Sequence, residues 1–188
     1  MPPSLRPAVF LDRDGVIIEN RLDYVRSWDD VEFIPSALEA LARLSRSDYA
    51  IVITTNQSAI GRGYLSRQQA DAINQRLVDH VRRAGGRIDG VFLCPHAPDD
   101  GCECRKPKPG LLFRAAEAMG LDLSRSIMIG DTLSDVQAGA AAGIGTLALV
   151  QTGLGAAQQS LLPGAGFPNV PTHRDLLTAV EAHVAGPA

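Results

Sequence analysis

Short apolar runs that each stop on a polar cluster constrain this chain more than any other feature of its 188 residues. Residues 8–11 (AVFL) run into Asp12-Arg13-Asp14-Gly15, 50–55 (AIVITT) into Asn56-Gln57-Ser58, and 126–129 (SIMI) into Gly130-Asp131. Residues 88–93 lead into a loop with three cysteines, and 146–150 (TLALV) into a stretch rich in Gly, Pro and Gln. Runs of this length between turn residues read as buried strands. Between them lie segments of helical spacing. One covers 36–44, with Pro35 near its start. A second runs from Ser66 to about residue 83, opened by the Ser66/Gln69 capping-box pair and ended by Gly85-Gly86. Others cover 111–119, stopped by Gly120, then 135–142 with Gly143 past its end, and finally 175–184. Residues 151–171 read as loop.

Strand and helix alternating without repeats predict an α/β fold: a doubly wound, Rossmann-like parallel sheet covered on both faces. In such sheets ligands sit outside the carboxyl ends of the strands. The polar clusters all fall at that edge, so chemistry is expected to gather in one place. A chain of this length suits one domain, here 1–188, with the cysteine loop at 94–104 and a loop plus final helix at 151–188.

The formal net charge of -3 gives no electrostatic case for nucleic acid or an anionic membrane as partner. No apolar run approaches the roughly 18–20 residues of a membrane span. The N-terminal stretch Met1-Pro2-Pro3-Ser4-Leu5-Arg6-Pro7 lacks the layout of a signal peptide. The expectation is a cytoplasmic, monomeric protein, in which any phosphate binding must come from a local site.

All three cysteines fall between positions 94 and 104, in the pattern Cys94-x-His96-x5-Cys102-x-Cys104. An odd, clustered set argues against a disulfide framework. Three thiolates and an imidazole make a closed tetrahedral set of the structural zinc type. Zinc would order a segment too short for its own core and would fix Arg105 and Lys106, which follow at once.

The strand-end motifs, taken together, resemble the haloacid-dehalogenase-like phosphohydrolases. Asp12-Arg13-Asp14-Gly15-Val16 matches the first motif of that family, Thr55 the second, Arg105-Lys106-Pro107 the third, and Ile129-Gly130-Asp131-Thr132-Leu133-Ser134-Asp135 the fourth. The resemblance implies Asp12 as the nucleophile that takes up a phosphoryl group, and Asp14 as general acid and then base. It implies Thr55 and Lys106 on the phosphoryl oxygens, and a catalytic Mg²⁺ held by Asp12, Asp131 and the main-chain carbonyl of Asp14. Asp135 would support Lys106 or its loop. No large cap insertion separates these motifs, so a minimal cap is expected.

Within that family, the zinc loop, the run RKPKPG at 105–110 and TNQSAIGRG at 55–63 are similar to the subfamily holding heptose-bisphosphate and histidinol-phosphate phosphatases. By that similarity the expected substrate is a phosphorylated sugar, a heptose bisphosphate, with histidinol phosphate as the alternative. Asn56, Gln57, Ser58, Arg105, Asp23 and Tyr24 would bind it. Two positions depart from the pattern: Ala59 where glycine is common, and Thr132 where many relatives carry lysine. A phospho-aspartate signalling module is the non-enzyme alternative. Asp14, an acid/base with no task in a long-lived phospho-aspartate, speaks against it.

Overall fold

The computed structural model describes residues 5–184, so the first four residues of the proline-led N-terminal stretch, and the ends of the expected 1–188 domain, lie outside the described residues. Six strands build the sheet: β1 (Ala8–Leu11), β2 (Ala50–Asn56), β3 (Gly90–Cys94), β4 (Ile127–Gly130), β5 (Thr146–Val150) and β6 (Thr172–His173). All pair in parallel, in the order β3-β2-β1-β4-β5-β6. The helices are α1 (Ala37–Leu44), α2 (Ser58–Gly61), α3 (Arg67–Arg83), α4 (Gly110–Met119), α5 (Leu133–Ala141), α6 (Gly155–Gln158) and α7 (Leu176–His183).

The strand order explains where the site must be. From β1 the chain winds outward through β2 to β3, then returns to place β4 on the other side of β1 and winds outward again. The connections after β1 and after β4 therefore part company at the carboxyl edge of the sheet. The crevice they leave is where open parallel sheets bind ligands. Asp12 follows β1 and Asp131 follows β4, so the two carboxylates face each other across that opening.

Alternation along each strand supplies a core on both faces. Val9, Leu11, Ile51, Ile53, Ile127 and Ile129 pack with Leu41 and Leu44 of α1, Leu77 and Val81 of α3, and Leu176 of α7. Ala8, Phe10, Val52 and Met128 turn the other way, onto Leu112 and Ala115 of α4 and Ala138 of α5. Every residue of β1 and β4 is buried. Burying that apolar area, at about 25 cal/mol per Å², holds the strand ends in register and thereby fixes the positions of Asp12 and Asp131.

Most expected elements form within a residue or two of their sequence bounds. Ser66 caps α3 as its pattern demands: its hydroxyl accepts from Gln69 N–H at 3.1 Å, and Gln69 Oε1 accepts from Ser66 N–H at 2.9 Å. The helix expected from 135 starts at Leu133 instead, because Thr132 is the N-cap and its N–H donates to Asp135 Oδ2 at 3.0 Å. The stretch expected as loop, 151–171, contains α6 and a 3-10 turn at Gln159–Leu161, and β6 follows it. Such elements, like the four-residue α2, are too short to carry a period.

Candidate active site

Lys106 sits at the centre of the crevice and is 3% exposed. Its ammonium donates to Thr54 O at 2.7 Å and to Asp135 Oδ1 at 2.5 Å, and lies 3.1 Å from Asp12 Oδ1. Burial alone would favour the neutral amine; the charges of Asp12 and Asp135 outweigh it and raise the lysine pKa. The main chain of Lys106 is clamped as well. Asn56 donates Nδ2 to Lys106 O at 3.1 Å, and Asn56 Oδ1 accepts Lys106 N–H at 3.1 Å.

Asp14 is held from three sides. Arg13, 1% exposed, grips both its oxygens at 3.0 Å and fixes its own far nitrogen on Asn74 Oδ1 at 2.9 Å. Gln57 Nε2 donates to Asp14 Oδ2 at 2.9 Å and to Thr55 Oγ1, also at 2.9 Å. Thr55 Oγ1 lies 3.4 Å from Asp14 Oδ2. A buried arginine in a bidentate grip leaves the carboxylate one orientation.

Asp131 is fully buried among backbone. Leu154 N–H donates to its Oδ2 at 2.9 Å, and a Cβ at Gly15 or Gly153 would stand 2.1 or 2.3 Å from that same oxygen. Both glycines have positive φ (+86° and +58°), so geometry and space exclude a side chain twice over. Thr152 Oγ1 ties the two loops together through Gly15 O at 2.6 Å.

These residues pass the test for a hard divalent cation. Asp12, Asp131 and Asp135 each bring an oxygen within 4.8 Å of the others. Asp131 Oδ1 is buried without a hydrogen-bond partner, and Asp12 Oδ1 meets only the Lys106 ammonium at 3.1 Å. Burial, with the repulsion of neighbouring carboxylates, pushes Asp131 up to about 8. Burial likewise pushes Asp12 up to about 6, against the pull of Lys106. Crowded, unsatisfied carboxylate oxygens of this kind are the ligands Mg²⁺ takes. Asp135 is spent on Lys106 and Thr132, which leaves Asp12 and Asp131 with free ligand atoms.

Beside this crevice the cysteine loop forms its own cluster. Cys94 Sγ lies 3.2 Å from Cys104 Sγ and 3.7 Å from Cys102 Sγ, and His96 Nδ1 lies 3.5 and 3.3 Å from Cys94 and Cys104. Zn–S bonds of about 2.3 Å and Zn–N bonds of about 2.0 Å set tetrahedral edges of roughly 3.3–3.8 Å, so four ligands converge at the right size for zinc. Burial pushes the Cys94 thiol up to about 12, a proton that metal must displace. The loop reaches the crevice through Arg105, whose Nη1 donates to His96 O at 3.3 Å.

The crevice is a cleft of about 240 Å³ whose walls include Asn20, Arg21, Tyr24, Ser58, Arg105 and Ser134 besides the carboxylates. Of the residues expected to bind substrate, Tyr24, Ser58 and Arg105 line it. Tyr24 does so with a φ of 67° and its ring 5.8 Å from that of Tyr64. Asn56 and Gln57 also reach it, but their amides serve Lys106 and Asp14. Asp23 stands apart: it pairs with Arg26 at 3.0 Å, is 74% exposed, and is not among the lining residues. Sequence reasoning passed over Arg13, whose place inside DRDG was a usable signal, and over the 152–154 turn, which carried none.

A family model described as HAD-hydrolase-like matches residues 103–179. The chain is 43% identical, over 80% of its length and 84% of the relative, to the D-glycero-beta-D-manno-heptose-1,7-bisphosphate 7-phosphatase of Pseudomonas aeruginosa. It is 42% identical to the protein of the same name from Bordetella bronchiseptica, over 78% of this chain and 82% of that one. A crystal structure of D,D-heptose 1,7-bisphosphate phosphatase from B. bronchiseptica, complexed with magnesium and phosphate, superposes with a TM-score of 0.86 at 37% identity, covering 94% of this chain and 97% of the other. That of the Burkholderia thailandensis phosphatase gives 0.72 at 32% identity, covering 96% and 99%.

Proposed function

The chain belongs to the haloacid-dehalogenase-like hydrolases, and from that premise we propose that it removes the 7-phosphate of D-glycero-β-D-manno-heptose 1,7-bisphosphate through an aspartyl-phosphate on Asp12. The observation that carries the reading is the meeting of Asp12, Asp131 and Lys106 from three distant loops, with Asp12 paired to the ammonium and Asp131 Oδ1 buried without a partner. The names of the relatives at 42–43% identity supply the substrate.

In this mechanism Asp12 attacks phosphorus and the bond to the sugar oxygen breaks, while Asp14 delivers a proton to that oxygen. Water then attacks the phosphoryl group on Asp12, and Asp14 takes its proton, releasing inorganic phosphate. Lys106 and Thr55 hold the phosphoryl oxygens, and Asp135 and Asn56 hold Lys106. Arg13 and Gln57 hold Asp14 at the cleft as a carboxylate; to carry the proton it gives the sugar oxygen, and to take the one from water, Asp14 releases one of the oxygens that Arg13 grips. Asp12, Asp131 and the carbonyl of Asp14 would hold magnesium, which would supply the charge neutralisation that lets a carboxylate approach a phosphate dianion. Zinc on Cys94, His96, Cys102 and Cys104 is structural and fixes the base of Arg105 and Lys106.

The same reading covers the rest of the molecule: one domain, acting as a monomer in the cytoplasm, without nucleic-acid or membrane partners. Among the described residues no helix is long and apolar enough to cross a membrane. Phosphate release with Mg²⁺ from heptose 1,7-bisphosphate and from histidinol phosphate tests the substrate. A strong preference for the heptose is expected; equal rates on both would leave a phosphatase without this specificity.

A further inference from the structure

Asp135, Thr132 and Ser134 form a relay that begins at Lys106 and ends in the cleft. Asp135 is fully buried; its Oδ1 takes the lysine ammonium, and its Oδ2 takes the Thr132 N–H at 3.0 Å and stands 2.6 Å from Thr132 Oγ1. A carboxylate paired with an ammonium only accepts, so the Thr132 hydroxyl donates to it. A hydroxyl has one proton. Thr132 Oγ1 can therefore hold its 2.8 Å contact with Ser134 Oγ only as the acceptor. That turns the Ser134 proton inward, and Ser134, which lines the cleft, shows it lone pairs. The next backbone donor is consumed too: Leu133 N–H donates to Gln158 Oε1 at 3.1 Å.

We propose that Ser134 is a specificity-determining residue whose Oγ accepts a hydrogen bond from a hydroxyl of the leaving group, so that this wall of the cleft reads a polyol. The inference rests on the phosphatase reading above and adds which chemistry the α5 side of the cleft reads. Oriented lone pairs stabilise a hydroxyl donor. The cationic side chains lining the cleft are Arg21, Arg105 and Lys106. Lys106 is committed to Asp12 and Asp135 and to the transferring phosphoryl group, so a second phosphate on the substrate turns to Arg105 and to the part of Arg21 not held by Asp30 O and Glu32, while the sugar hydroxyls face Ser134.

The test compares wild type with Ser134→Ala on heptose 1,7-bisphosphate and on p-nitrophenyl phosphate, a phosphate ester whose leaving group has no other hydroxyl. In the variant the ratio of kcat/KM for the sugar ester to that for the aryl ester should fall about 5- to 10-fold. Single deoxyfluoro analogues of the heptose test the direction of the bond, because fluorine accepts but does not donate. One position should cost wild type a similar factor and cost Ser134→Ala nothing. A ratio within twofold of wild type, or no position whose cost disappears in the variant, overturns the inference while the phosphatase reading stands. A wild type with no preference for the sugar ester overturns both the inference and the heptose substrate, and leaves a phosphatase without this specificity.

Discussion

Lys106 Nζ lies 2.5 Å from Asp135 Oδ1, and the two side chains are 2% and 0% exposed. An ion pair so sealed from water is stable only as a pair, since either charge alone would be stranded in a medium that solvates it poorly. The pair also leaves the ammonium 3.1 Å from Asp12, on the side where a phosphoryl group would sit.

The pair predicts a dissociation of stability from activity. Lys106→Met should cost about 3–5 kcal/mol in urea denaturation, the range for stranding one partner of a buried pair. Lys106→Met combined with Asp135→Leu should recover part of that loss, and neither protein should release phosphate. Full stability in the single variant would show that the pair does not hold the fold.

Gly153→Ala tests the cradle of Asp131. The new methyl meets Asp131 Oδ2 and places a non-glycine residue at positive φ, a strain of about 1–2 kcal/mol. Displacing a metal ligand through its support should lower magnesium affinity or activity by about 10- to 100-fold. Titration of phosphate release against Mg²⁺ reads it, with a raised half-saturation as the expected sign.

Zinc should be found at one ion per chain by elemental analysis. Cys102→Ser should lose it and lower both the thermal midpoint and kcat, through Arg105 and Lys106. Wild-type protein with no zinc, or a variant with full activity, would separate the cysteine loop from the active site.

The fold carries a pH dependence away from the active site. His173 of β6 and His183 of α7 approach at 2.9 Å between their Nε2 atoms. Burial, with the charge of His183, lowers the pKa of His173 below its ordinary value of 6.5. The unfolded chain thus binds the proton more readily, so this contribution is complete above about pH 6.5 and is lost as pH falls through the depressed native value. The thermal midpoint of His173→Asn should fall less than that of wild type between pH 7.5 and 5.5. An identical fall in both would remove the pair from the account.

Much of this molecule was legible in its sequence, for identifiable reasons. Ala8–Leu11 and Ile127–Gly130 are buried on both faces and so are apolar throughout, and the residue after each is a carboxylate that no buried strand would carry by chance. Ser66 and Gln69 announced α3 because capping is local chemistry. The partnerships were not legible. That Asn56 clamps Lys106, that Arg13 grips Asp14, and that Leu154 N–H serves Asp131 depend on which loops meet at the sheet edge. Asp23 was expected at the sugar from the resemblance, as part of the segment 20–24; in the structure it pairs with Arg26 at the surface.

Trapping the phosphoenzyme tests the account most directly. Wild-type protein mixed with labelled substrate and magnesium, quenched in acid within the first turnover and digested, should carry label on the peptide containing Asp12, and Asp12→Asn should carry none. Label on another residue, or turnover by Asp12→Asn, would contradict the account at its centre.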